Sequence, residues 1–133
     1  VEPIRALPLV DQLRPDEILV MVGDDHNAPH LRIGEFAVID TTDTTPQHGE
    51  LFAMQYSRGM PVIMEVIWVF GKAGSLWRNS EKAPWLCAQL SRKTSSDGPH
   101  SEQTFQVACM GRVVGIYAAA PMMQAPMITG GRP

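Results

Sequence analysis

Apolar residues along this chain come in short blocks separated by turns rich in Gly, Pro, Asp and Thr, and most blocks are too short to build a helix. Ile18-Leu19-Val20-Met21-Val22, ended by Gly23, reads as a strand buried on both faces. A polar, proline-containing turn follows, with Leu31 placed to plug it into the core. Phe36-Ala37-Val38-Ile39 is then expected as a second strand, closed by the Asp, Thr and Pro residues between Asp40 and Pro46. Glu50 to Tyr56 and Pro61 to Phe70, joined by Ser57-Arg58-Gly59, predict a hairpin. A further strand is expected near Ser75 to Arg78, and Asn79 to Pro84 reads as a turn. Trp85 to Leu90 suits a strand or a helical turn, and Ser91 to Ser101 reads as an exposed loop. Phe105 to Tyr117 is expected as the last long strand, with Gly111 and Gly115 marking a bulge or a close backbone approach. Helical periodicity is weak throughout and no internal repeat is present. The pattern predicts a mainly β domain over residues 18–120, preceded by an extended lead-in at 1–17 and followed by a Pro/Met-rich tail at 121–133.

Composition narrows the class of function more than the fold. A chain of 133 residues suggests one domain, and 44% hydrophobic with 19% charged residues is too apolar for a disordered protein. Eleven basic against fourteen acidic residues give a net charge of -3, which supplies no clustered cation to grip a phosphate backbone. Cys87 and Cys109 are too few for a disulfide framework or a metal knuckle, so a reducing cytoplasm is expected. The longest apolar stretch, near Pro61 to Phe70, carries Glu65 in its middle and predicts no membrane span. No basic-then-apolar secretory signal opens the chain, and a start at Val1 hints at residues upstream.

The densest ionisable chemistry lies in the turn after the first strand, where Asp24, Asp25, His26 and His30 fall within seven residues. Asp24, His26 and His30 are suitable zinc ligands, but Pro29 interrupts the helix that would bring the two rings together, and the plainer reading is a hydrogen-bonded turn. His26 with Glu65 could form a general acid-base pair, although no nucleophile accompanies them. Alternation along a strand lets only one of Met64 and Glu65 approach the turn. Met21, Met54, Met64 and Met110 read as core, whereas Met122, Met123 and Met127 lie among prolines. Trp68, Trp77 and Trp85 read as core or interface anchors, and Arg112 as either structurally paired or exposed to a partner.

The order of these segments resembles a known family. Gly23-Asp24, a two-residue slot at His26-Asn27, Pro29, then Gly34-Glu35-Phe36 and Val38-Ile39-Asp40 are similar to the nucleophile segment of the LexA-like self-cleaving repressors (LexA, UmuD and lambda-type phage repressors). Pro46 and Gly49-Glu50-Leu51-Phe52, Val62-Ile63-Met64-Glu65-Val66, and Gly111-Arg112-Val113-Val114-Gly115 resemble its later strands, so the likeness runs from about Ile18 to Tyr117. The resemblance implies a C-terminal domain of short twisted antiparallel sheets. It also implies a serine at the slot and a neutral, buried lysine as its base. Here the nucleophile slot holds His26, and the lysine slot falls on Met64 or, with the register shifted by one, on Ile63 or Glu65. The expectation is therefore a non-catalytic homodimerisation domain of a transcription regulator. It would have no cofactor or resident metal, no membrane contact, and DNA contacts only through a missing N-terminal helix-turn-helix domain. The alternatives are a metal-dependent or His-Glu hydrolase rebuilt at the same place, and a small-molecule or peptide sensor.

Overall fold

In a computed structural model describing residues 6–70, 82–90 and 96–119, the elements run in the following order. They are β1 (Leu9–Val10), β2 (Glu17–Met21), β3 (Phe36–Asp40), β4 (Leu51–Met54), β5 (Val62–Trp68), β6 (Trp85–Ala88), β7 (Asp97–His100), α1 (Glu102–Ala108) and β8 (Cys109–Tyr117). The chain is mainly β, as its short apolar blocks predict. The strands form one sheet ordered β2-β3-β8-β4-β5-β6-β7, antiparallel throughout except for β1, which pairs parallel with β8. At nine residues β8 is the longest strand, and it holds the sheet together from its middle. One of its edges takes β3 over Arg112 to Ile116; the other takes β4 over Cys109 to Arg112 and then β1 at Ile116 and Tyr117.

Both glycines expected to mark irregularities in this strand do so. Pairing with β4 skips Met110 and pairing with β3 skips Val114, so β8 carries two bulges. Gly111 has φ +148, and a Cβ there would run into the carbonyl oxygen of Asp40. A Cβ on Gly115 would lie 2.8 Å from the carbonyl oxygen of Pro8, where β1 crosses.

Apolar side chains of β4 and β5 divide by alternation between two cores. Leu51, Ala53 and Ile63 join Val20, Val22, Leu31, Ala37, Ile39 and Val113 on one face. Phe52, Met54, Met64 and Val66 join Cys87 and Phe105 on the other, where Phe105 of α1 stands edge-on to Phe52 at 5.3 Å between ring centroids. Burial on both faces explains why these two strands read as unbroken apolar runs.

The structure corrects the sequence reading at several points. β2 is not buried on both faces: Val20 enters the core, but Ile18, Leu19 and Met21 are 38%, 37% and 53% exposed, because β2 ends the sheet. Met21 is accordingly not a core residue. The lead-in contributes β1, and β7 occupies part of the stretch read as an exposed loop. Phe105 to Ala108 is helical rather than extended. Ser101 caps that helix by accepting from Thr104 N at 3.1 Å, and Val107, taken as a strand residue, is 89% exposed. Trp85 to Ala88 resolves as strand, and Arg112 is structurally paired, with Asp43 at 2.7 Å and Glu50 at 3.4 Å. The strand expected at Ser75 to Arg78, Trp77 and the tail at 121–133 lie outside the described residues. Among the described residues no helix is long and apolar enough to cross a membrane.

Candidate functional site

The turn joining β2 to β3 is closed at its base by Val22 N donating to Glu35 O at 2.8 Å and Gly34 N donating to Val22 O at 2.9 Å. Gly34 supplies the positive φ, +89, that this return needs. Within the loop the carboxylates shape backbone: Asp24 accepts from His26 N at 3.0 Å and Asp25 from Ile33 N at 2.9 Å. Leu31 is fully buried beneath them, in the plug position that its sequence context suggested. Asp24 also lies 3.4 Å from Gln89 Nε2, which ties the turn to the chain leaving β6.

Asn27 is the central side chain of the site. It is 1% exposed; its Nδ2 donates to Ile63 O at 2.9 Å, and its Oδ1 accepts from Leu90 N at 3.0 Å. β5 and β6 pair Glu65 with Ala88 and Ile67 with Leu86, a register that one step further would set Ile63 against Leu90. Val69 N donating to Pro84 O at 2.8 Å marks alternate pairs of this series, Ile63 and Leu90 among them, as the hydrogen-bonded ones. The Asn27 amide is therefore inserted into the rung where that ladder opens, standing in for a peptide group between the two strands.

Beside it a cleft of about 280 Å³ runs between the end of β2 and the start of β5, lined by Met21, Gly23, Asn27, Met60, Ile63 and Gln89 among others. Its walls are largely apolar, with Asn27 and Gln89 contributing carboxamides. Of the residues singled out in sequence, Asp24 lines this cleft, and His26 and His30 stand half-buried in the turn above it. Met64 is on the far side of the sheet, since Ile63 shares the core of Val22 and Leu31 while Met64 packs with Phe52 and Phe105. Its Sδ lies 3.5 Å from Tyr56 Oη. Of the three positions left open for the lysine slot, Ile63 and buried Glu65 lie on the turn-side face and Met64 does not. His26 and Met64 are not brought together. Among the described residues no three His, Cys, Asp or Glu side chains gather to hold a metal, so Asp24, His26 and His30 do not form a centre.

Sequence reasoning placed Asn27 in the slot without giving it a role and passed over Gln89, because nothing in the residues around an Asn or Gln distinguishes a buried strap from a solvated turn residue. A second polar pair lies on β7, where His100 Nε2 meets Asp97 Oδ2 at 2.9 Å. Burial, with the Asp97 charge adding to it, pushes the Cys87 thiol up to about 12. A thiol so protonated at neutral pH is a packing group, not a nucleophile. Comparison of the chain with models of protein families, with curated proteins and with solved structures returns no match.

Proposed function

We propose that this chain is a non-catalytic association domain of a LexA-like regulator, joining two copies while DNA is read by a separate helix-turn-helix module. The observation that carries the non-catalytic half is the placement of Met64, which stands at the lysine position, on the opposite face of the sheet from the turn that holds His26. A serine-lysine type of chemistry needs its nucleophile position and its base side by side, and a thioether could not take the proton even there. The regulatory half rests on the order of the segments from Gly23 to Ile116 and on the mainly β architecture, which is compatible with that resemblance. A dimer would set two DNA-reading modules at a fixed spacing, a use of the domain that needs no cleavage chemistry. Sedimentation equilibrium from low to high micromolar concentration tests it. A concentration-dependent dimer is expected, and a monomer at the highest concentration would rule the reading out.

A second reading, a sensor of a small apolar ligand or short peptide, is favoured by one observation, the cleft between Met21 and Met60. Chemical-shift changes confined to residues 21–27 and 60–63 on adding short apolar peptides would support it, and unchanged spectra would dismiss it.

A further inference from the structure

The two ends of the sheet are finished differently. β7 is a poor template for another strand: Pro99 has no N–H, Gly98 sits at φ +111, and the pairing with β6 breaks register. β2 has five consecutive pairs with β3 and contains no proline, lysine or bulge. Among the described residues no strand lies along its outer edge.

Hydrogen bonding fixes what that edge presents. Val22 N donates to Glu35 O at 2.8 Å and Thr41 N to Asp16 O at 3.0 Å, so the even-numbered residues of this stretch bond β3. Glu17, Leu19 and Met21 then turn their N–H and C=O groups outward. Glu17 N is taken by Arg14 O at 3.0 Å, which among the described residues leaves Leu19 and Met21 offering both donor and acceptor. The same two residues expose their side chains, with Phe36 paired to Met21 and 42% exposed beside them. Ile18 to Gly23 carries no charge, and the flanking acids are turned back on their own chain, Glu17 onto Arg14 N at 2.9 Å and Asp24 onto His26 N at 3.0 Å.

We infer that two copies of this chain pair through their β2 edges, antiparallel about a two-fold axis at Leu19; the inference rests on the association reading above and names its surface. Charge selects the register. An axis at Val20 would lay Asp16 against Asp24 of the second copy, whereas an axis at Leu19 moves that Asp24 alongside Arg14 and sets Glu17 opposite Met21. Leu19 exchanges two hydrogen bonds with its equivalent, Met21 N reaches Glu17 O, and the Leu19, Met21 and Phe36 side chains of both copies close one apolar stripe. Such an isologous contact is self-limiting, because each copy spends the one edge that, among the described residues, is open and regular.

Sedimentation equilibrium of the full chain, wild type against Leu19→Lys, Met21→Lys and Val107→Lys, tests it, with circular dichroism confirming the fold. The positions at 19 and 21 are exposed, so the variants are expected to fold. The two edge substitutions should raise the dimer dissociation constant at least about tenfold each through buried unpaired charge, and Val107→Lys on α1 should leave it unchanged. Leu19→Cys should form a disulfide-linked dimer on mild oxidation, since directly paired hydrogen-bonded residues sit about 5.5 Å apart; wild type, with Cys87 and Cys109 retained, should not. A dimer indifferent to both edge variants and not linked through Leu19→Cys overturns this inference and leaves the association reading standing. A monomer at every concentration overturns both, and binding of an extended apolar peptide along β2 by that monomer would reassign the edge to a foreign strand.

Discussion

A primary amide set between a carbonyl and an N–H of neighbouring strands can replace a peptide rung, and Asn27 holds that position between Ile63 and Leu90. Removing it leaves two backbone groups unpaired beneath the turn. Asn27→Ala is expected to cost about 2–4 kcal/mol, and Asn27→Asp at least as much, because a carboxylate cannot donate to Ile63 O. His26→Ala, at a half-buried position one residue away, should cost less than about 1 kcal/mol. Urea denaturation of the three variants checks this, and equal losses at 26 and 27 would refute the strap. Cys87 gives a pH dependence of known sign. Its folded thiol ionises near 12 against an ordinary 9.0, so the unfolded chain loses its proton first. The stability from burying the neutral thiol is intact below 9 and is lost as pH climbs from 9 towards 12. The slope can reach about 1.4 kcal/mol per pH unit. Denaturation midpoints below and above pH 9 should therefore diverge in wild type and diverge less in Cys87→Ala.

Elements are shaped by where glycine and serine sit. Gly111 is read correctly as an irregularity because no other residue in an apolar strand invites one, and the structure adds the cause: at φ +148 its α-carbon abuts the Asp40 carbonyl between β3 and β4. Gly111→Ala should destabilise by at least about 2 kcal/mol through backbone strain and displacement of Asp40, measured as a fall in thermal midpoint. The helix at Glu102–Ala108 was hidden because Phe105, Val107 and Cys109 alternate with other residues as a strand would. Its single buried residue, Phe105, gives no period to detect, and the Ser101 cap was the one local signal of a start. The hairpin of β4 and β5, by contrast, lies where the apolar runs and Ser57-Arg58-Gly59 put it, with Met54 paired to Val62.

At the scale of the whole molecule, a net charge of -3 and cations spent internally, as Arg112 is on Asp43 and Glu50, leave little to neutralise phosphate. The chain should show no shift of duplex DNA in a low-salt gel assay, the condition most favourable to binding; tight, salt-sensitive binding would contradict the division of labour proposed above. Prolonged incubation at alkaline pH should likewise release no discrete fragment by intact mass. A cut that disappears in His26→Ala would make His26 and Glu65 the leading catalytic pair.

The positions of β2 to β5 and the mainly β class were legible because alternation, β-branched runs and turn residues act over a few neighbours, where the chain alone carries the information. Which strand would end the sheet was not, since Ile18-Leu19-Val20-Met21-Val22 is as apolar as the two-sided strands and exposure depends on whether another segment arrives to cover it. The candidate site divides in the same way. Asp24, Asp25 and Leu31 could be placed as turn formers and plug from local chemistry, whereas the use of Asn27 and the turning away of Met64 were decided by contacts across 36 residues of sequence and by the face to which alternation assigns each side chain. Long-range register, which no local pattern encodes, decided those two points.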